Sequence, residues 1–140
     1  MTNRDIAFIV KEQTPLMLRP EDTVQTACQL MCERRVGAVL VTDADARLKG
    51  IFTGRDAVGA ICQGNNPATL PLADVMTANP DSIAPDLRAI DALHMMWDGG
   101  YRHLPVTVDG KAIGIVSRRD FKGLELDQFE DQQSLWERIC

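Results

Sequence analysis

No apolar run in this chain approaches the roughly 18 residues that suggest a membrane-spanning helix, so no membrane span is expected. A basic excess is missing too. Lysine and arginine number 15 against 20 aspartates and glutamates, a net charge of −5. Proteins that live on phosphate backbones usually carry a basic face, so general nucleic-acid binding is disfavoured. Basic character survives only locally, at Arg34-Arg35, Arg102-His103 and Arg118-Arg119, each able to hold a small anion. The four cysteines, at 28, 32, 62 and 140, form no CxxC pair. Cys28 and Cys32 stand four apart on one side of an expected helix, yet nothing completes a zinc set around them. They read as small buried hydrophobes, reduced in a cytosolic protein. There is no GxxxxGK loop, no Ser–His–Asp grouping and no metal set, so catalytic and metal-binding residues are not expected and no cofactor is required. The start, MTNRDIAFIVKEQ, has a short apolar stretch with no small-residue cleavage site after it. It does not read as a signal peptide, and a cytoplasmic location is expected.

What the chain does have is a repeat. GIFTGRD at 50–56 returns as GIVSRRD at 114–120, with Gly50/Gly114, Ile51/Ile115, Arg55/Arg119 and Asp56/Asp120 identical. Upstream, Pro20 and Pro85 stand 65 apart, and the same offset pairs Ala27 with Ala92, Met31 with Met96 and Val41 with Val106. The motifs themselves are 64 apart, so one residue is lost between, in the turn DADARLKG against VDGKAIG, where length changes are cheap.

Each copy spells the same elements. A short strand (PLML, 15–18; DSI, 81–83) precedes a helix whose Val24, Ala27, Cys28 and Met31, or Ala89, Ala92, Leu93 and Met96, follow the spacing of one buried face. The helices stop near Arg34-Arg35 and at Gly99-Gly100. Two strands follow (GAVLVT and LKGIFT; HLPVTV and KAIGIVS), then a second helix through about 54–62 and 118–126. The expected fold is α/β (α+β in arrangement): two β-α-β-β-α repeats packed about a pseudo-two-fold axis, because about 45 residues cannot bury an adequate core alone. The expected segments are an N-terminal helical piece (1–13), a first repeat (14–62), a linker and approach (63–79), a second repeat (80–126) and an acidic helical tail (127–140).

Thr53-x-x-Asp56 and Ser117-x-x-Asp120 fit capping boxes at strand-to-helix turns. The same geometry has a second use. A helix N-terminus attracts phosphate, Arg55 or Arg119 adds a full charge, and a carboxylate can accept from two adjacent sugar hydroxyls. Both readings stand at this stage.

The paired motifs, LADVMTANPDSIAPD before the second copy and YRHLPV ahead of its second strand together resemble a tandem pair of CBS domains, the module named after cystathionine β-synthase. The resemblance covers about residues 14–126. It implies clefts between the repeats for adenosine-containing ligands (AMP, ADP, ATP, S-adenosylmethionine or NAD), with such a nucleotide as the regulatory ligand. It implies that Thr53/Asp56 and Ser117/Asp120 hold ribose hydroxyls, that Ile51 and Ile115 lie by the base or sugar, and that Gly37-Ala38 and Arg102-His103 line the clefts. Arg55 and Arg119 are the accompanying cations. It also implies a homodimer and, since no effector domain is seen, an effector protein as partner. The alternative is a ligand-free dimerising interaction module.

His94 reads as a helix histidine that is partly buried or faces solvent. His103, beside Arg102, is a candidate anion contact, and a nearby phosphate would favour its charged form at mildly acidic pH. Met95, Met96 and Trp97 read as core and interface packing. IAFIVKEQ (6–13) is a short packing helix. LELDQFEDQQSLWERI (124–139), with Leu126, Phe129, Leu135 and Trp136 for burial, either closes one face or offers a dimer or docking contact.

Overall fold

A computed structural model describes residues 4–121 and 123–139. The elements run α1 (Ile6–Val10), β1 (Met17–Leu18), α2 (Val24–Arg34), β2 (Ala38–Thr42), β3 (Leu48–Thr53), α3 (Gly54–Cys62), β4 (Thr77–Ala78), α4 (Ala89–Gly99), β5 (His103–Val108), β6 (Lys111–Ser117) and α5 (Leu124–Ile139). Strands β1-β2-β3-β4 form one sheet and β5-β6 the other. The parallel pairing of Leu18 with Val41 is matched by a bridge from Ile83 to Val106, so the two halves follow one plan.

The helices sit where the apolar period places them. Val24, Ala27 and Met31 of α2 are buried, as are Ala89, Ala92, Leu93 and Met96 of α4. Thr23 caps α2 by accepting from Thr26 N, and α2 and α4 end on left-handed Arg35 (φ 54) and Gly100 (φ 71). Strand β2 is buried at every position. Its alternation explains why: Val39 and Val41 face the α2 core with Phe52 and Leu72, while Ala38 and Leu40 face Ile51 and Ala112 between the halves.

Two reciprocal bonds mark the pseudo-two-fold axis. Leu48 N donates to the Gly110 carbonyl at 3.0 Å, and Ala112 N donates to the Ala46 carbonyl at 2.9 Å.

The segments ahead of each repeat are exchanged. Residues 70–78 pack on the first half: Leu72 N donates to Asp22 O and Ala73 N to Pro20 O. Residues 4–13 pack on the second half in the same way, Ile6 N to Leu87 O and Ala7 N to Pro85 O. Ile6 and Val10 thereby lie in the second core, and β4 pairs with β3. These crossings explain the motif glycines. A Cβ on Gly50 would lie 2.5 Å from Met76 Sδ, and one on Gly114 would lie 2.8 Å from Val10 Cβ.

Two expected elements differ: DSI (81–83) forms no strand but a single bridge from Ile83 to Val106, and the closing helix of the second repeat is broken. The second copy of the motif does not open a helix through 118–126; Arg118–Asp120 form a single 3-10 turn, Phe121 is extended (φ −95, ψ 138), and α5 starts at Leu124. The cause is Phe121, which occupies the position of Ala57 and sends its side chain into the second core. Gly123 (φ 54) then turns the chain into α5. Phe129 of α5 is buried, with edge contacts to His94 and Trp97 at centroid distances of 5.2 and 5.9 Å. His94 also meets Gln132 and Gln133, at 2.7 and 3.3 Å, so it fastens α4 to α5. Leu126 is partly buried and Leu135 is exposed; the Trp136 side chain, Met1–Asn3, Lys122 and Cys140 lie outside the described residues. No described helix is long and apolar enough to cross a membrane.

Candidate functional site

Two clefts flank the axis, and their linings are equivalent. The larger, about 690 Å³, takes Ile51, Thr53, Gly54, Arg55 and Asp56 from the first half and Gly100, Tyr101, Arg102 and His103 from the second, with Thr77, Asn79, Pro80 and Asp81 along one side. The smaller, about 220 Å³, takes Ile115, Ser117, Arg119, Asp120 and His103 from the second half and Arg34, Val36, Gly37 and Ala38 from the first, with Gln13, Thr14, Pro15 and Leu16 along its side. Gly37 and His103 border both cavities.

All twelve residues singled out in the sequence therefore lie at one cleft or the other, and each cleft mixes the halves. Arg102 and His103 face Thr53 and Asp56, a crossing that the sequence leaves open. Sequence reasoning missed Tyr101 and the strand-approach residues Pro80-Asp81 and Pro15-Leu16. Their signal was present as Pro15 and Pro80, which share the 65-residue offset of the repeat. It missed Gln13, where nothing repeats, and it noted Arg34 only as part of a basic cluster able to hold an anion, without assigning it to a cleft.

The capping and ligand readings of Thr53 and Asp56 prove compatible. Thr53 N donates to Asp56 Oδ2 at 2.9 Å, and Thr53 Oγ1 donates to the same oxygen at 3.1 Å. Asp56 N in turn donates to Thr53 Oγ1 at 3.4 Å. The cap uses Oδ2 alone, and Oδ1 accepts no bond among the described residues. Ser117 and Asp120 repeat the arrangement, Ser117 N donating to Asp120 Oδ2 at 2.7 Å and Ser117 Oγ at 3.3 Å.

The cations differ between the clefts. In the larger, the Arg55 and Arg102 side chains make no hydrogen bond or ion pair among the described residues. In the smaller, Arg34 Nη2 donates to the Thr14 carbonyl, and Arg119 Nη2 donates to the Arg35 carbonyl at 3.3 Å. Gln13 closes its far side: its carboxamide donates to Ile115 O at 2.8 Å and accepts from Ile115 N at 2.9 Å. That amide imitates a strand, taking the place that Thr77 takes beside Ile51 in the first half.

His103 leans on Gly37, where an added Cβ would lie 3.1 Å from its Nε2. Burial holds its pKa below the usual histidine value; Arg119 and Arg102 push the same way, with Asp120 opposing. The neutral imidazole is thereby favoured, and the charged form expected at mildly acidic pH is disfavoured by burial and by these two arginines. Tyr101 donates to Asp81 Oδ2 at 2.9 Å, and burial together with that carboxylate pushes its phenol up to about 12. It stays a donor at any ordinary pH. Among the described residues no cluster of three or more His, Cys, Asp or Glu side chains is placed to hold a metal ion. Cys28 is partly buried, which raises its thiol pKa, while Cys32 and Cys62 are exposed.

A family model described as the CBS domain matches residues 4–63 and again 72–126. The chain is similar to the CBS domain-containing protein CBSCBSPB2 of Arabidopsis thaliana, 42% identical over 102 residues. That match takes in 72% of this chain and 19% of the plant protein, so the chain spans about a fifth of that relative. A solved structure from Burkholderia ambifaria, described as a signal-transduction protein with CBS domains, is 30% identical, with a TM-score of 0.78 over 92% of this chain and 96% of that one. A CBS domain protein from Pyrobaculum aerophilum, solved in complex with AMP, shares the fold at a TM-score of 0.83 and 20% identity, covering 91% of this chain and 99% of that one.

Proposed function

The chain belongs to the CBS domain family, and on that premise we propose that it is a regulatory sensor binding an adenosine-containing ligand in its larger cleft. The observation that carries the reading is the composition of that cleft. Thr53 and Asp56 offer a hydroxyl and a free carboxylate oxygen for ribose, and Arg55 and Arg102 offer unpaired charge for phosphate. Its volume, about 690 Å³, falls within the roughly 300–1,000 Å³ usual for small-molecule sites. The smaller cleft, about 220 Å³, falls below that range. The AMP complex of the Pyrobaculum relative supports the ligand class.

On this reading the chain performs no catalysis and acts in the cytoplasm. A ligand that prefers one arrangement of the two halves shifts the population by its differential affinity. The signal then leaves through a homodimer or an effector protein. Exposed apolar side chains at Val58 and Ile61 of α3, Trp97 of α4 and Leu135 of α5 support contact with another chain.

The test is thermal unfolding with AMP, ADP, ATP, S-adenosylmethionine and NAD, each at millimolar concentration. A ligand at about 100 times its Kd adds about 2.7 kcal/mol, a rise of roughly 5–15 °C for a domain of this size. The shift should vanish in Asp56→Ala and persist in Asp120→Ala. No shift with any of the five ligands would overturn the reading and favour a ligand-free interaction module.

A further inference from the structure

The repeat's offset of 65 sets Leu16 against Asp81 and Val36 against Tyr101. Leu16 and Val36 line the smaller cleft, and Asp81 and Tyr101 hold the same places in the larger one. An apolar pair in one cleft is thus a polar pair in the other. A third change accompanies them: α2 ends in Arg34, whereas α4 ends in Gly99. Gly99 makes room for the Tyr101 ring, since a Cβ there would fall 2.0 Å from Tyr101 Cε1. The ring lies against it, and the hydroxyl donates to Asp81 Oδ2 at 2.9 Å. Asp81 Oδ1 accepts no bond among the described residues. This corner of the larger cleft therefore offers one carboxylate oxygen, the other being taken.

Thr77 pairs with Ile51, and Asn79 N donates to the Lys49 carbonyl at 3.0 Å, so the segment leading to Asp81 runs back along β3, away from Thr53 and Asp56. A ligand with its ribose at Thr53 and Asp56 and its phosphate at Arg55 and Arg102 has its base left to meet Ile51, Pro80 and Asp81. We propose that Asp81, held by Tyr101, selects the base in the larger cleft by accepting from the exocyclic amine of adenine. The inference rests on the reading of the larger cleft given above. An ionised carboxylate accepts and never donates, so the base must bring the proton. Adenine brings one amine, which one oxygen satisfies. Guanine brings a ring N–H and an amine side by side, which together need both oxygens, and Tyr101 occupies the second. A purine without an amine brings nothing and leaves Asp81 unpaired.

Isothermal titration of the full chain tests this with AMP, GMP and purine riboside 5′-monophosphate, which differs from AMP by the amine alone. The site counted is the one lost in Asp56→Ala. A hydrogen bond to a charged group gives roughly a tenfold to hundredfold preference, and the parent should favour AMP over either competitor by that factor. Asp81→Leu, which copies Leu16 of the other half, should bind AMP and the amine-free nucleotide within about threefold of each other. Tyr101→Phe keeps the ring but frees both oxygens, and should move the preference toward GMP. Melting curves report whether each variant folds. Equal affinity of the parent for AMP and the amine-free nucleotide would overturn the inference and leave the larger-cleft reading standing. So would a preference that survives in folded Asp81→Leu. Binding of none of the three by the parent would overturn the inference together with the placing of phosphate at Arg55 and Arg102.

Discussion

Three glycines of the repeated motif should respond to alanine with different signs. At Gly114 the new methyl would sit 2.8 Å from Val10 Cβ, 3.0 Å from Val10 Cγ1 and 3.1 Å from Gln13 Oε1. Val10 is β-branched, buried and fixed on α1, so it cannot swing aside. The crossing segment must lift, and with it go the two bonds between Gln13 and the Ile115 backbone. Overpacking of this kind costs ~1–3 kcal/mol, or roughly 3–12 °C of melting temperature at this size. Gly50→Ala meets Met76 Sδ at 2.5 Å, but that side chain is flexible, so most of the clash can be relieved. The Thr77 carbonyl at 3.0 Å keeps the change destabilising, by less than at Gly114. Gly54 has no atom within 4 Å of a new Cβ and opens α3. Gly54→Ala should raise stability by up to ~1 kcal/mol through helix propensity. Calorimetric melting of the three variants should rank them Gly114→Ala lowest, Gly50→Ala next and Gly54→Ala above the parent. A Gly114→Ala protein melting with the parent would refute the close crossing of α1 over β6.

Two further measurements probe charge. Arg4 pairs with Glu125, which is only 4% exposed, and also donates to the Asp120 carbonyl at 2.7 Å. Arg4→Met should therefore cost ~3–5 kcal/mol in urea unfolding by stranding a buried carboxylate, with part regained on adding Glu125→Gln. His103 concerns pH. Its native pKa lies below the ~6.5 of an unfolded chain, so as pH falls through that value the unfolded state takes up a proton that the native state refuses. Stability is full above ~6.5 and drains as pH falls toward the native pKa. His103→Asn should flatten the decline of the urea midpoint between about pH 7.5 and 5; an unchanged slope would count against a half-buried imidazole that resists protonation.

The repeat, its helices and its strands were legible because each is a local pattern. The period of Val24, Ala27 and Met31 and the unbroken apolar run of β2 need no knowledge of distant chain. The break at Phe121 was hidden because helix propensity there is ordinary, and a buried slot in the second core decides the matter. The exchange of residues 4–13 and 70–78 was hidden for a similar reason: IAFIV and LADVM are apolar, but nothing in them says which half they cover. In the candidate site, Thr53, Asp56, Ser117 and Asp120 were readable as a motif. The inequality of the clefts was not, because it depends on contacts between distant residues, such as those of Arg34 and Gln13 with groups 20 and 102 residues away.

The exchanged segments also govern how this molecule could be divided. A cut in the exposed QGNN turn would separate two fragments, each carrying the other's missing piece. Residues 4–13 would leave with the half they do not cover, and Leu72 would depart from the core containing Phe52. Neither fragment would be a smaller copy of the whole. Mixed, they would have to find each other before either could close its core, and their refolding would slow with dilution as a second-order process.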